Sequence, residues 1–244
     1  MLVVQIAAVL ILSYLVGSIP VGWLIVKIST GRDVRTIESG RTGGTNVMRA
    51  AGTFAGILTA IGDVLKGYST LWIVNWLIPP DSPWKVWLQV AAPLLAILGH
   101  NYSIYLLERR ADGKVQLRGG AGGATCFGGA LGLWLPSGLI ILPVGLLVFL
   151  LVGYASLTTI SIALSTTVIF AYLALFKGYP WQYILYGAAS LMALLWALRP
   201  NLVRLANGTE RVVGLRAALQ KKRTAGKRQE NPTRPVNKKQ NATH

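Results

Sequence analysis

The sequence predicts an all-α fold, a polytopic integral membrane helix bundle of about seven transmembrane helices joined by glycine-rich cytoplasmic loops. Three observations carry that prediction. Hydrophobic residues make up 53% of the 244 and charged residues only 13%, with a mean hydropathy of +0.51, a balance that a soluble domain does not show. The apolar residues are gathered into runs at 2–26, 50–78, 84–107, 124–135, 136–152, 156–176 and 181–198, most of them long enough to cross a bilayer. The basic residues, which give a net charge of +16, fall almost entirely between alternate runs.

The run 2–26 begins without a basic leader and without a cleavage pattern, so it is read as a retained helix rather than a signal peptide. Gly17, Ser18, Ile19 and Pro20 form a kink-prone break inside it, whose freed backbone groups need partners from neighbouring helices or a polar cavity. The second run contains Asp63 and Lys66, three residues apart and therefore on one helical face. Charges at that depth form a structural pair or serve a wet site. Pro79, Pro80, Asp81, Ser82 and Pro83 make a polar turn flanked by Trp76, Trp84 and Trp87, as an interfacial aromatic belt would have them. The third run ends in Gly99, His100 and Asn101, with no second His or acidic cluster nearby to suggest a metal. The run 124–135 is too short to span unaided. Glycines at 128, 129 and 132 fit close helix contacts in lipid, and the single Cys126 excludes an internal disulfide and reads as packing.

Orientation follows from the basic residues. With the N-terminus outside, the inner face receives five in the first polar loop, four in 108–118 and twelve from Arg199 onward, and the outer face only Lys85 and Lys177. The expected location is therefore the plasma membrane of a bacterium, with the C-terminus cytoplasmic. Two regions are expected: a membrane domain at 1–210 and a basic, largely disordered tail at 211–244, which can lie against anionic lipid. After Leu219 the tail has no aromatic residue, which argues against a nucleic-acid partner.

Two glycine-rich stretches stand out between the apolar runs. Residues 39–49, SGRTGGTNVMR, combine three glycines with hydroxyls, an amide and two arginines. Residues 118–125, RGGAGGAT, repeat the pattern after another apolar run. Either is a flexible turn or an anion cradle, in which glycine lets backbone N–H groups approach a phosphate. Two such cradles on one membrane face suit a reaction between two phosphate-bearing molecules. The chain offers neither a nucleophile elbow nor a Ser/His/Asp order.

These stretches, taken with others in order, resemble the acyl-phosphate-dependent glycerol-3-phosphate acyltransferases of bacterial membranes. The matching residues are GSIP at 17–20, the 39–49 motif, Asp63, Lys66 and Gly67, GHN at 99–101, GGAGGAT at 119–125, YASL at 154–157, and Asn201, Arg204 and Glu210. The sequence departs from the family pattern at Ala121, where a Lys is usual, at Arg41, where an Asn is usual, and at Leu198, where a His is usual. The stretch 108–118 is also longer than the usual link between motifs.

The resemblance implies transfer of a fatty acyl group from acyl phosphate to the 1-hydroxyl of sn-glycerol 3-phosphate, giving 1-acyl-sn-glycerol 3-phosphate. It implies no cofactor and no metal, and the partners are the two substrates and the lipid bilayer. Because the donor is already an activated mixed anhydride, positioning and electrostatic stabilisation are the main requirements. Arg49, Ser39, Asn46 and Ser156 are the expected catalytic residues. Arg41, Gly43, Thr45, His100, Asn101, Arg118, Gly119, Gly120, Gly122, Thr125, Asn201 and Arg204 are the expected substrate contacts. Two other readings fit: a homologue that binds these ligands without turning them over, and a small-anion transporter, against which the absence of an internal repeat counts.

Overall fold

Every apolar run of the sequence contains helix in the structure, a computed structural model that describes residues 1–109 and 112–230. The first run is two helices, α1 (Leu2–Ser18) and α2 (Val21–Thr30), separated at Ile19 and Pro20. The break is satisfied from outside, as a gap in a lipid-embedded helix must be. Lys66 Nζ donates to the Ile19 carbonyl at 3.1 Å, and Ser103 Oγ donates to the Ser18 carbonyl. A polar loop leads to α3 (Gly44–Ala51), and Gly52 turns the chain into α4 (Thr53–Leu77).

The run 84–107 is α-helical only as α5 (Lys85–Asn101). Beyond Asn101 the chain makes a single 3-10 turn (Ile104–Leu106), and Leu107–Arg109 (β1) pairs antiparallel with Val115–Leu117 (β2), a small hairpin where a loop was expected. α6 (Gly123–Leu133), α7 (Gly138–Leu147), a π-helical turn (Val148–Val152), α8 (Ala155–Phe176) and α9 (Gln182–Ala206) complete the bundle. Among the described residues five helical segments are long and apolar enough to cross a membrane: Leu2–Thr30, Thr53–Leu77, Leu135–Val152, Ala155–Phe176 and Gln182–Ala206. α5 and α6 are shorter, with 17 and 11 residues.

The bundle is held by helix pairs in near backbone contact, the packing that lipid favours because it offers no hydrophobic drive between helices. A Cβ on Gly17 of α1 would lie 2.4 Å from the Ala96 backbone of α5, and one on Gly128 of α6 would lie 2.0 Å from the Val64 carbonyl of α4. The largest core cluster joins α5, α6, α8 and α9 around Phe170, Tyr186 and Leu194. Cys126 is buried there, where Tyr186 Oη donates to its carbonyl at 2.7 Å, in keeping with a packing role.

Packing contacts continue a few residues past position 210, where the membrane domain is expected to end. Val213 N donates to the Gly153 carbonyl at 2.9 Å, and Val213 is buried against the end of the π-helical turn. α10 (Gly214–Glu230) then follows in a stretch read as disordered. Its Ala, Leu, Arg, Lys and Gln residues are all good helix formers, a preference that low hydrophobicity alone does not reveal. The remainder of the tail, 231–244, lies outside the described residues.

Candidate active site

The first glycine-rich loop is shaped by Asn46, the third residue of α3. Its side chain is buried, and its Nδ2 lies within 3.2 Å of the carbonyls of Val34, Ile37 and Arg41 while its Oδ1 accepts from Ser39 N at 3.4 Å. The amide is thereby committed to backbone, so Asn46 acts on the site by holding the loop. At the base of the same loop Arg35 grips Asp33 at 2.7 Å and holds that carboxyl at about 2, well below its ordinary value. The loop is then tied to the second by Thr42 N, which donates to the Gly119 carbonyl at 3.3 Å.

The second loop is glycine-rich for a steric reason that its sequence does not advertise. A Cβ on Gly119 would lie 2.1 Å from the His100 carbonyl, and one on Gly120 would lie 2.0 Å from His100 Nε2. Gly122 adopts a φ of +88°, beside Asn101 Oδ1. The end of α5 is thus pressed directly onto the loop. His100 is in turn part of a buried cluster: its Nδ1 lies 3.4 Å from Asp63 Oδ1, which pairs with Lys66 Nζ at 2.9 Å. The intramembrane charges therefore do both things the sequence allowed, pairing with each other and reaching a residue of the site.

These loops close one end of a cavity of about 760 Å³. Its polar end carries Arg49, Arg41, Ser156, Asn201 and Arg204, and its walls continue along apolar side chains such as Ile57, Ile61, Leu142, Leu146 and Ile162. Asn201 Nδ2 donates to Glu210 Oε1 at 2.8 Å and Arg204 Nε to Glu210 Oε2 at 3.3 Å, which fixes both relative to the chain that follows α9. Arg211 reaches back over the site to Glu38 at 3.0 Å. The Ser156 hydroxyl and Asn201 Oδ1 are buried without a protein partner. Burial pushes Arg41 below the ordinary arginine value, as does the nearby Arg204 cation. Burial lowers Arg49 as well, against the pull of Glu38. Two partly desolvated cations at one end of an apolar tube favour an anionic head on an apolar tail.

Of the residues expected from the sequence, Ser39, Arg41, Gly43, Thr45, Asn46, Arg49, His100, Gly122, Ser156, Asn201 and Arg204 line this cavity. Asn101, Arg118, Gly119 and Gly120 instead line a smaller polar chamber of about 240 Å³, which shares Ser39 and Arg41 with the first. Thr125 lines neither: it is fully buried where α6 meets α4, its carbonyl 2.2 Å from where a Cβ on Gly67 would stand, so its place is in helix packing. Asp63, Glu210 and Arg211 line the cavity but were not assigned to it from the sequence. Asp63 and Glu210 belong to recognisable motif stretches; Arg211 carries no such signal. Among the described residues no cluster of His, Cys, Asp or Glu has the makings of a metal site.

Comparison with known proteins decides the family. The family model for glycerol-3-phosphate acyltransferase matches residues 7–208. The chain belongs to the glycerol-3-phosphate acyltransferase family. A glycerol-3-phosphate acyltransferase of Thermus thermophilus is 38% identical over 211 residues, covering 85% of this chain and 95% of the relative. One from Rubrobacter xylanophilus is 36% identical over 207 residues, covering 85% and 94%. Among solved structures, the chain is similar to PlsY (YgiH), an integral membrane glycerol 3-phosphate acyltransferase, in its glycerol 3-phosphate form, with a TM-score of 0.72 and 30% identity over 88% of this chain and 98% of that one. The lysophosphatidic acid form of the same protein gives a TM-score of 0.70 at 29% identity. Family membership and the apolar helices together make this acyltransferase homologue a multi-pass membrane protein of bacterial type.

Proposed function

We propose that this chain transfers a fatty acyl group from acyl phosphate to the 1-hydroxyl of sn-glycerol 3-phosphate, yielding 1-acyl-sn-glycerol 3-phosphate and inorganic phosphate. The observation that carries the reading is the single cavity that joins an arginine-bearing polar end to an apolar wall. An acyl phosphate has that same division, and the chain's relatives act on the acceptor. The hydroxyl oxygen attacks the acyl carbonyl carbon, the new ester C–O bond forms, and the acyl–phosphate C–O bond breaks with its electron pair going to the leaving phosphate. A substrate phosphate oxygen takes the hydroxyl proton, as the family resemblance implies.

The residues support this chemistry chiefly through charge and orientation. Arg49 and Arg204 are placed to neutralise phosphate, Arg49 with the planar fork that suits two phosphate oxygens. The buried, unpartnered Ser156 hydroxyl and Asn201 Oδ1 are free to orient the glycerol hydroxyls. The acyl chain lies along the wall between α4, α7 and α8. Both loops and the C-terminal segment face the cytoplasm, where glycerol 3-phosphate is available, and the N-terminus faces outward, on the basic-residue distribution. The deciding experiment is a transfer assay on purified protein with acyl phosphate and glycerol 3-phosphate. Formation of lysophosphatidate with stoichiometric phosphate release is the expected result, and ligand binding without product would leave a non-catalytic homologue.

A further inference from the structure

The small polar chamber beside the main cavity is not needed to hold the acyl chain or the residues just assigned to chemistry, yet it is strongly basic. Arg41, Arg118 and Arg199 all line it, together with Ser39, Asn101 and the backbone of Gly119 and Gly120. Only Arg118 has a carboxylate, Glu108 at 2.9 Å. Among the described residues neither Arg41 nor Arg199 is paired with an acid; Arg199 is stacked on Trp196 with its guanidinium carbon 4.1 Å from the ring centroid. Asn101 lines the chamber too, but its buried amide lies beside Gly122, so the chamber's charge comes from the arginines.

We infer that this chamber is a separate site for a soluble phosphomonoester, a staging position for glycerol 3-phosphate from which Arg41 passes it into the catalytic cavity. Arg41 is the shared cation, since it and Ser39 line both spaces. Its guanidinium has five N–H donors, of which Nη1 and Nη2 each use one, on the carbonyls of Gly120 and Ala197. Donors therefore remain for an anion on either side. The chamber's approximate 240 Å³ suits a small polar molecule, and its rim at Arg199 and Trp196 is exposed. A lipid headgroup shares the phosphate chemistry, and the exposed Trp196 makes it the competing source.

The inference rests on the transfer activity proposed above, and the test separates the two. In purified protein Arg199→Gln should raise the KM for glycerol 3-phosphate about three- to tenfold, the scale of one partly exposed charge-assisted contact, with the KM for acyl phosphate unchanged. Arg199→Lys should keep most of the wild-type value, whereas an Arg199 that serves only to stack on Trp196 would leave the KM for glycerol 3-phosphate unchanged in both variants. The same comparison in nanodiscs of phosphatidylcholine, with and without phosphatidylglycerol, identifies the source. A KM for glycerol 3-phosphate indifferent to phosphatidylglycerol supports a soluble ligand; a rise with phosphatidylglycerol in wild type but not in Arg199→Gln would hand the site to lipid and overturn the inference. An unchanged KM in Arg199→Gln, or a fall in kcat alone, overturns it as well. If wild type proves inactive, the proposed function fails by itself, and equilibrium binding of glycerol 3-phosphate to wild type and Arg199→Gln still decides the chamber.

Discussion

Arg41 Nη1 donates to the carbonyl of Gly120 at 3.1 Å, so a cation carried by the first glycine-rich loop sits beside Ala121 in the second. The position matters because a Lys is usual at Ala121 in the family that this chain resembles, and an Asn at Arg41. Ala121 and Arg41 line the same cavity. Charge has in effect moved from one loop to the other. If Arg41 serves the phosphate that a Lys would otherwise hold, Arg41→Asn should lose about tenfold to a hundredfold in kcat/KM, the worth of one charge-assisted hydrogen bond of roughly 1.5–3 kcal/mol. Arg41→Asn combined with Ala121→Lys should recover much of that loss. An inactive wild type that Ala121→Lys alone switches on would sink the exchange and favour a chain that has lost catalysis.

Arg49 tests the phosphate clamp without removing charge. It lines the polar end of the cavity from the last turn of α3, partly desolvated and with no carboxylate within ion-pair distance among the described residues. Lysine preserves the positive charge but not the fork that binds two oxygens in parallel. Arg49→Lys should accumulate in the membrane at wild-type levels and fall about tenfold or more in kcat/KM. Wild-type kinetics in the well-folded variant would remove Arg49 from the clamp.

Most of the bundle, and many of the polar residues that line the cavity, were legible in the sequence, because hydropathy and short polar motifs are local properties. The break at Ile19 and Pro20 and the grouping of the two loops could be read in that way. What local reading missed was long-range. The partner of the broken helix, Lys66, is 47 residues away, and the reason Gly120 must be glycine is a histidine ring on another element. Thr125 looked like a cradle residue because it ends a glycine run, but it lies in the first turn of α6, where its backbone carbonyl packs against Gly67 of α4. Asn46 has the right chemistry for a ligand and spends it on the loop's own carbonyls.

The orientation can be checked independently of activity. With the N-terminus outside, as proposed, the inner face would receive five, four and twelve basic residues from its three segments, and the outer face only Lys85 and Lys177. A cytoplasmically active reporter fused after Arg228 should be active, and a tag inserted near Ser82 should be accessible from outside intact cells. An externally accessible tail would invert the arrangement and separate both loops from the cytoplasmic pool of glycerol 3-phosphate.

Two glycines, one in each loop, separate steric need from anion approach. At Gly120 an added Cβ would meet His100 Nε2 at 2.0 Å, and the ring cannot retreat easily because its Nδ1 faces Asp63 and the residue is buried. At Gly43 an added Cβ meets nothing within 4 Å, and its φ of −77° is open to any residue. Gly120→Ala should therefore lower thermal stability by about 1–3 kcal/mol, the usual cost of overpacking, and lose activity with it. Gly43→Ala should cost at most about 1 kcal/mol at the start of α3, yet raise the KM for a phosphate substrate, because Gly43 lines the cavity and a methyl group there stands between backbone and anion. Thermal unfolding in detergent and steady-state kinetics on the two variants give the answer. A loss well above about 1 kcal/mol in Gly43→Ala, or none in Gly120→Ala, would reverse the assignment, making the first loop the packed one and the second the open cradle.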